Sequence, residues 1–208
     1  LSEEYDTPVI VRSTTRISHS EGIVELAERE EEPPREFVRN MSKYCVLPHN
    51  ARELHVKAEE RLKKIAEFGS NCQFNRIEDG DRKVGIISAG ISYNYAREIF
   101  PKASFLKLGL SFPFPTELIQ RFADSVETLI VIEENEPFIE TAVRAMGIKC
   151  IGKDRIPVCG ELNPDIIHQS LSEFVNQPAP KTIDTDFKEI PVRPPVLCPG
   201  CPHRGVFY

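Results

Sequence analysis

The 208 residues are 40% hydrophobic, enough to bury a substantial core in one or two domains. Twenty-six Lys and Arg against 32 Asp and Glu give a formal net charge of −6, so the chain carries no basic footprint for nucleic acid or anionic lipid. No apolar run approaches the roughly 20 residues of a membrane-spanning helix, and the opening LSEEYD lacks the regions of a signal peptide. With six cysteines reading as reduced thiols, a cytoplasmic protein is expected. The chain opens without methionine and closes on the apolar run Gly205 to Tyr208, which suggests an internal piece of a longer protein.

In chain order, a short acidic helix-like stretch precedes TPVIVR, residues 7–12, whose β-branched content suits a single strand. EREEEPPR, residues 28–35, reads as an exposed linker. From Asn50 to Phe68, Leu54, Ala58, Leu62 and Ile65 fall at helical spacing, with Glu53/Lys57, Glu59/Lys63 and Glu60/Lys64 as i,i+4 pairs. That pattern predicts an amphipathic helical arm packed on a neighbouring domain.

Between Lys83 and Val175, short apolar runs alternate with helical stretches: KVGIISAG then ISYNYAREIF, SFLKLGL then PTELIQRFAD, ETLIVIEE then EPFIETAVRAMG, IKCIG then NPDIIHQSLSEFV. Such alternation predicts an α/β domain: an open, mostly parallel sheet with helices on both faces, flanked here by the N-terminal strand, the long helix and extended tails. Pro115 and Pro164 suit first helical positions, Asn163 an N-cap, and Gly147 a helix end. Residues 176–195, rich in proline and polar side chains, read as a linker.

Three groups of residues carry possible chemistry. In Cys198-Pro199-Gly200-Cys201-Pro202-His203-Arg204, two thiolates at CxxC spacing reach one metal, and Pro-Gly favours a tight turn. A zinc ribbon requires a second pair downstream, a thioredoxin-like pair sits inside a compact βαβ unit, and iron–sulfur ligation draws further ligands from elsewhere. Spacing alone does not separate zinc from iron–sulfur. Thr14 to His19, including Arg16, Ser18 and His19, form either an anion-binding rim or a capped, hydrogen-bonded turn. Ser88 to Tyr93 ends the first strand of the parallel domain, where a phosphate binds in open sheets, although GxGxxG is missing. Glu133 and Glu134 occupy a comparable strand end, as acid or base or, more commonly, as solvated or ion-paired carboxylates.

Taken together, TPVIVRSTTRISHSEGIVEL, ISAGISYNYARE and RPPVLCPGCPHRG resemble, in this order, the alpha subunits of indolepyruvate:ferredoxin oxidoreductases, within the thiamine-dependent 2-oxoacid:ferredoxin oxidoreductase family. The resemblance runs through nearly the whole chain. It implies that residues 1–20 end a pyrimidine-binding domain, 21–82 form a linker and helical arm, and 83–175 a transketolase C-terminal-like domain. Residues 176–195 would be a linker and 196–208 the start of a diphosphate-binding domain.

The implied cofactors are thiamine diphosphate with Mg2+, whose activating glutamate and metal-binding aspartate motif lie outside the chain, and 4Fe-4S clusters. The implied partners are a beta subunit, ferredoxin, coenzyme A, an aryl-pyruvate such as indolepyruvate, and a second copy. Cys198 and Cys201 match cluster ligands of related enzymes, His203 matches a histidine there, and Pro202 stands where those enzymes have glycine. Arg16, Ser18 and His19 match a string at the active-site rim, and His203 is a fourth candidate for that rim. No catalytic residue is assigned within the chain. A pyruvate or general 2-oxoacid oxidoreductase is the alternative parent, and domain 83–175 by itself reads as a structural and interface module.

Overall fold

The computed structural model describes residues 1–19, 21–29, 31, 34, 36–179, 197 and 200–207, with only the backbone of Arg16, Ile17 and Phe207. The centre is a four-stranded sheet. Strand β2 (Asp81–Ala89) lies in the middle, parallel to β3 (Ala103–Leu108) on one side and β4 (Thr128–Ile132) on the other. Strand β1 (Asn75–Glu78) joins the far edge of β3 antiparallel, giving the order β1-β3-β2-β4. This edge strand lies ahead of Lys83, outside the predicted alternation, and its four-residue sequence NRIE carries no apolar run.

The central strand reads VGIISA because both faces of a parallel sheet are covered by its own crossover helices. On one face Ile86, Phe105 and Ile130 pack against α5 (Gly90–Ile99) through Tyr93, Ala96 and Ile99, and against α8 (Pro164–Ser170) through Ile167. On the other, Ile87, Leu106 and Val131 meet α6 (Thr116–Ala123) through Ile119 and Phe122 and α7 (Phe138–Ala145) through Ile139 and Val143. Each such side chain, once fully buried, contributes roughly 1.5–3 kcal/mol. The predicted α/β class and its helices on both faces are therefore present.

The helix signals fare unevenly. Asn163 caps α8 by accepting the Ile166 N–H at 2.9 Å, with Pro164 in the first helical turn. Gly147 takes φ +80° just beyond α7, a conformation that costs glycine nothing. Pro115 is the N-cap residue of α6, one position before the first helical turn expected for it, because the helix begins only at Thr116. IKCIG is not a strand: only Ile151 bridges Ile130 in parallel, since the chain turns immediately afterwards to seat Gly152 against Glu140.

The amphipathic arm is α4 (Pro48–Asn71), longer at both ends than its periodicity predicted. Only its C-terminal end is buried, at Ile65, Gly69 and Ser70. None of the three predicted i,i+4 pairs closes; His55 and Glu59 approach to 3.9 Å instead. Exposed pairs gain too little in water to hold two long side chains in place. The short helices α1 (Ser2–Tyr5), α2 (Thr15–Ser18) and α3 (Met41–Tyr44) precede it, with Tyr5 against Phe68 and Lys43 bridging Asp6 at 2.9 Å.

Residues 7–12 form no strand. Ile10 is 90% exposed, and without a ladder to join, a β-branched run has nothing to fix its backbone. The described part of the acidic linker, Glu28, Arg29, Glu31 and Pro34, is exposed as expected; most of the 176–195 linker lies outside the described residues. Among the described residues no helix is long and apolar enough to cross a membrane.

Candidate functional site

The CPGC segment is described from Gly200 onward; Cys198 lies outside the described residues. Gly200 has φ +78°, the left-handed conformation the Pro-Gly turn predicted. Beyond it the chain winds into a helical turn. The Arg204 N–H donates to the Cys201 carbonyl at 3.1 Å, Gly205 to Pro202 at 3.3 Å and Val206 to His203 at 2.9 Å, leading into α9 (Arg204–Phe207). That winding brings the half-buried Cys201 Sγ within 3.4 Å of His203 Nδ1. Sequence pairing of Cys201 with Cys198 is thus supplemented by an imidazole on the same sulfur.

The donor set is soft. Thiolate sulfur suits zinc, copper(I) and iron–sulfur clusters over hard oxygen-seeking cations. Of the four thiolates that a 4Fe-4S cluster requires, this segment describes one candidate, Cys201, directly after the left-handed Gly200. Among the described residues no group of three or more His, Cys, Asp or Glu stands ready for a metal, so further ligands would come from elsewhere.

The N-terminal candidate, Arg16, Ser18 and His19, falls on and just after α2. The Ser18 hydroxyl shares a 2.8 Å hydrogen bond with Ser13, and the His19 N–H donates to the Thr15 carbonyl at 2.9 Å. The Arg16 side chain lies outside the described residues. Ser18 and His19 are exposed, and among the described residues neither shares a hydrogen bond with Cys201 or His203.

At the carboxyl end of the sheet the expected polar groups have other duties. Ser88 is fully buried and donates to the Ile132 carbonyl at 2.7 Å, tying β2 to β4 instead of facing a ligand. Glu133, expected to be solvated or ion-paired, is 8% exposed. Its two oxygens accept the N–H groups of Ile139 at 2.8 Å and Glu140 at 2.9 Å. Helix α7 begins after Pro137, whose ring carries no acceptor to cap it, so the strand-end carboxylate satisfies two of its orphan amides.

Around this clamp lies a network that periodicity could not reveal. Glu140, also buried, accepts the Lys153 N–H at 2.8 Å and pairs with Arg144 at 2.7 Å. A side chain on Gly152 would collide with that carboxylate, so the close approach requires glycine. The Lys153 ammonium donates to the Glu133 carbonyl at 2.5 Å. Burial pushes the Glu133 carboxyl up, only partly offset by its two amide hydrogen bonds and by Lys153; burial likewise pulls the Lys153 ammonium down.

Beside the clamp, Phe114 stacks obliquely on Phe138 at 5.0 Å, and an open apolar depression of about 500 Å³ is lined by both rings with Pro137 and Ala142. On the opposite face Tyr93 donates to Glu78 at 2.8 Å, with Arg76 at 2.8 Å from the same carboxylate. Burial raises the Glu78 carboxyl, but the hydrogen bonds from Tyr93 and Arg76 and the nearby guanidinium charges outweigh it and leave it below its usual value.

No family model matches the chain. Curated relatives do, over its whole length. It is 34% identical to indolepyruvate oxidoreductase subunit IorA of Methanothermobacter thermautotrophicus, 37% to that of Archaeoglobus fulgidus and 35% to that of Thermococcus kodakarensis. Along its whole length the chain matches one part of these IorA subunits. It spans 36% of the length of each of these relatives, so the family's machinery is represented here only in part. A solved 2-oxoglutarate:ferredoxin oxidoreductase from Magnetococcus marinus matches with a TM-score of 0.50 over 61% of this chain and 23% of its own, at 24% identity, which speaks for a shared fold.

Proposed function

We propose that this chain supplies the central domain and part of the cluster-ligating segment of a subunit that oxidatively decarboxylates indolepyruvate and other aryl-pyruvates, delivering electrons to ferredoxin and the acyl group to coenzyme A. The observation that carries the reading is the end-to-end similarity to IorA, which includes the CPGC segment. In this proposal residues 1–20 close a pyrimidine-binding domain, 83–175 form a transketolase C-terminal-like domain, and 196–208 begin a diphosphate-binding domain. A beta subunit and a second copy complete a cytoplasmic assembly.

Thiamine diphosphate with Mg2+, held by residues outside this chain, would supply the carbon nucleophile that releases carbon dioxide from the 2-oxoacid. The protein's share within this chain is orientation and an electron path. Cys198 and Cys201 would provide two thiolates to a 4Fe-4S cluster, and Arg16, Ser18 and His19 would line the rim of the active site. The sheet domain would present its carboxyl end, clamped by Glu133, to neighbouring domains.

The test uses the full-length subunit. Cys198→Ser and Cys201→Ser should each lower iron content and slow ferredoxin reduction while thiamine diphosphate binding largely survives. The 208-residue chain alone, given indolepyruvate, coenzyme A and ferredoxin, should show no turnover. Full iron content with normal ferredoxin reduction in both serine variants would reduce the cysteine pair to a structural turn.

A further inference from the structure

The contact between Cys201 and His203 has a chemical consequence once the sulfur is a ligand. At 3.4 Å the pair is hydrogen-bonded, and in the free thiol either group can donate. A cysteine bound to iron has no proton to give. The contact then persists only with the proton on Nδ1, which fixes the imidazole tautomer and makes the ring a donor to the ligand sulfur.

The geometry is preorganised by neighbours on both sides. Pro202 stands between the two residues, locking its own φ near −65° and restricting Cys201 before it. The Arg204 N–H holds the Cys201 carbonyl at 3.1 Å and the Val206 N–H holds the His203 carbonyl at 2.9 Å. Both ends of the three-residue span are therefore anchored by backbone bonds. Pro202 thus has a physical role: it narrows the conformations that bring the ring to the sulfur.

We propose that His203 donates an Nδ1–H hydrogen bond to the Cys201 sulfur when that thiolate ligates the cluster, and so raises the cluster's reduction potential. The inference rests on Cys201 being a cluster ligand, as proposed above. Reduction adds negative charge that the sulfurs share, so a donor aimed at one of them stabilises the reduced form more than the oxidised form. His203 is a positioning and tuning residue in this scheme, not a ligand.

The experiment compares the anaerobically purified full-length subunit with His203→Phe, which removes the donor, and His203→Asn, which keeps an N–H near the same place. Three readouts apply: iron content, the midpoint potential of the cluster whose signal disappears in Cys201→Ser, and the iron–cysteine stretching frequencies in resonance Raman spectra. His203→Phe should keep its iron and shift the reduction equilibrium about tenfold toward the oxidised form, about 59 mV for a one-electron couple. His203→Asn should recover most of that shift, and the stretching frequencies should move in His203→Phe alone.

Full iron content with unchanged potential and unchanged frequencies in His203→Phe would overturn the inference and leave the cluster site standing. Loss of iron in His203→Phe would also overturn it, by making the histidine a ligand. If Cys201→Ser loses neither iron nor any cluster signal, it is the reading of the site itself that fails.

Discussion

The sheet domain and the segments on either side of it obey different rules although they belong to one chain. Between Asn75 and Val175 nearly every apolar residue finds a partner: Ile86, Phe105, Ile119 and Phe122 are fully buried. Before Pro48, Ile10, Val11, Ile23 and Leu26 are among the most exposed large hydrophobics of the chain. Their composition is as suited to a core as that of β2. The difference lies in whether a complementary surface exists within the 208 residues, and it teaches that a β-branched run acquires a structure only from the ladder or face that receives it.

The largest test of that contrast is a pair of truncations. Phe122→Ala should destabilise the domain by about 3–5 kcal/mol, whereas Ile10→Ala should stay within about 0.5 kcal/mol, both read from urea denaturation. A substantial loss in the second variant would show that the N-terminal run is packed in solution after all. Hydrogen exchange sharpens the same point. The amides of Ile86 and Ile87 should exchange only through global opening, and those of Val9 to Val11 almost as in an unfolded peptide.

The clamp at the carboxyl end of the sheet comes next. Glu133→Ala should cost about 1–3 kcal/mol, because the N–H groups of Ile139 and Glu140 lose their acceptor while remaining buried. The aromatic shelf beside it should loosen in step, visible as broadening of the Phe138 ring resonances.

A smaller effect distinguishes two carboxylates by pH. The Glu78 carboxyl is held below its usual value of 4.5, so its contribution is present above that pH and disappears as pH falls through the lower folded value. The stability gap between the wild type and Glu78→Gln should therefore narrow on acidification below about pH 4.5. Glu133 runs the other way: its raised folded value means the fold favours the protonated form, and that contribution is lost as pH rises through the folded value. A Glu133→Gln gap moving in the same direction as that of Glu78→Gln would contradict the burial of the clamp.

The smallest effect belongs to α4. Lys57→Gln and Lys63→Gln should each change stability by less than about 0.5 kcal/mol at any salt concentration, since their predicted partners do not close on them.

How far the sequence carried these distinctions depends on the kind of signal. Alternation of apolar runs with helical stretches was enough for the α/β class because strand and helix periods are local properties of the backbone. Capping was legible for the same reason: Asn163 and Gly147 act on amides and dihedral angles within a few residues of themselves. The Pro-Gly turn at Gly200 belongs to this group too. Strand β1 escaped notice because its four residues have no pattern of their own and pair only by meeting the free edge of β3. The predicted strand at IKCIG failed for the converse reason, an apolar run whose continuation is diverted by Glu140.

The site divides along the same line. Cys198 and Cys201 were visible from spacing alone, and their resemblance to a cluster motif needed no coordinates. That His203 touches the Cys201 sulfur required the helical turn that follows. That Glu133 is a buried clamp and Ser88 a buried tie between strands depended on groups six to 44 residues away in sequence. Sequence by itself determined the secondary-structure periods, the left-handed glycine ahead of Cys201 and the likeness to IorA. Tertiary structure alone decided which polar groups are free to do chemistry, because hydrogen-bond partners and burial are set by residues that only folding brings together.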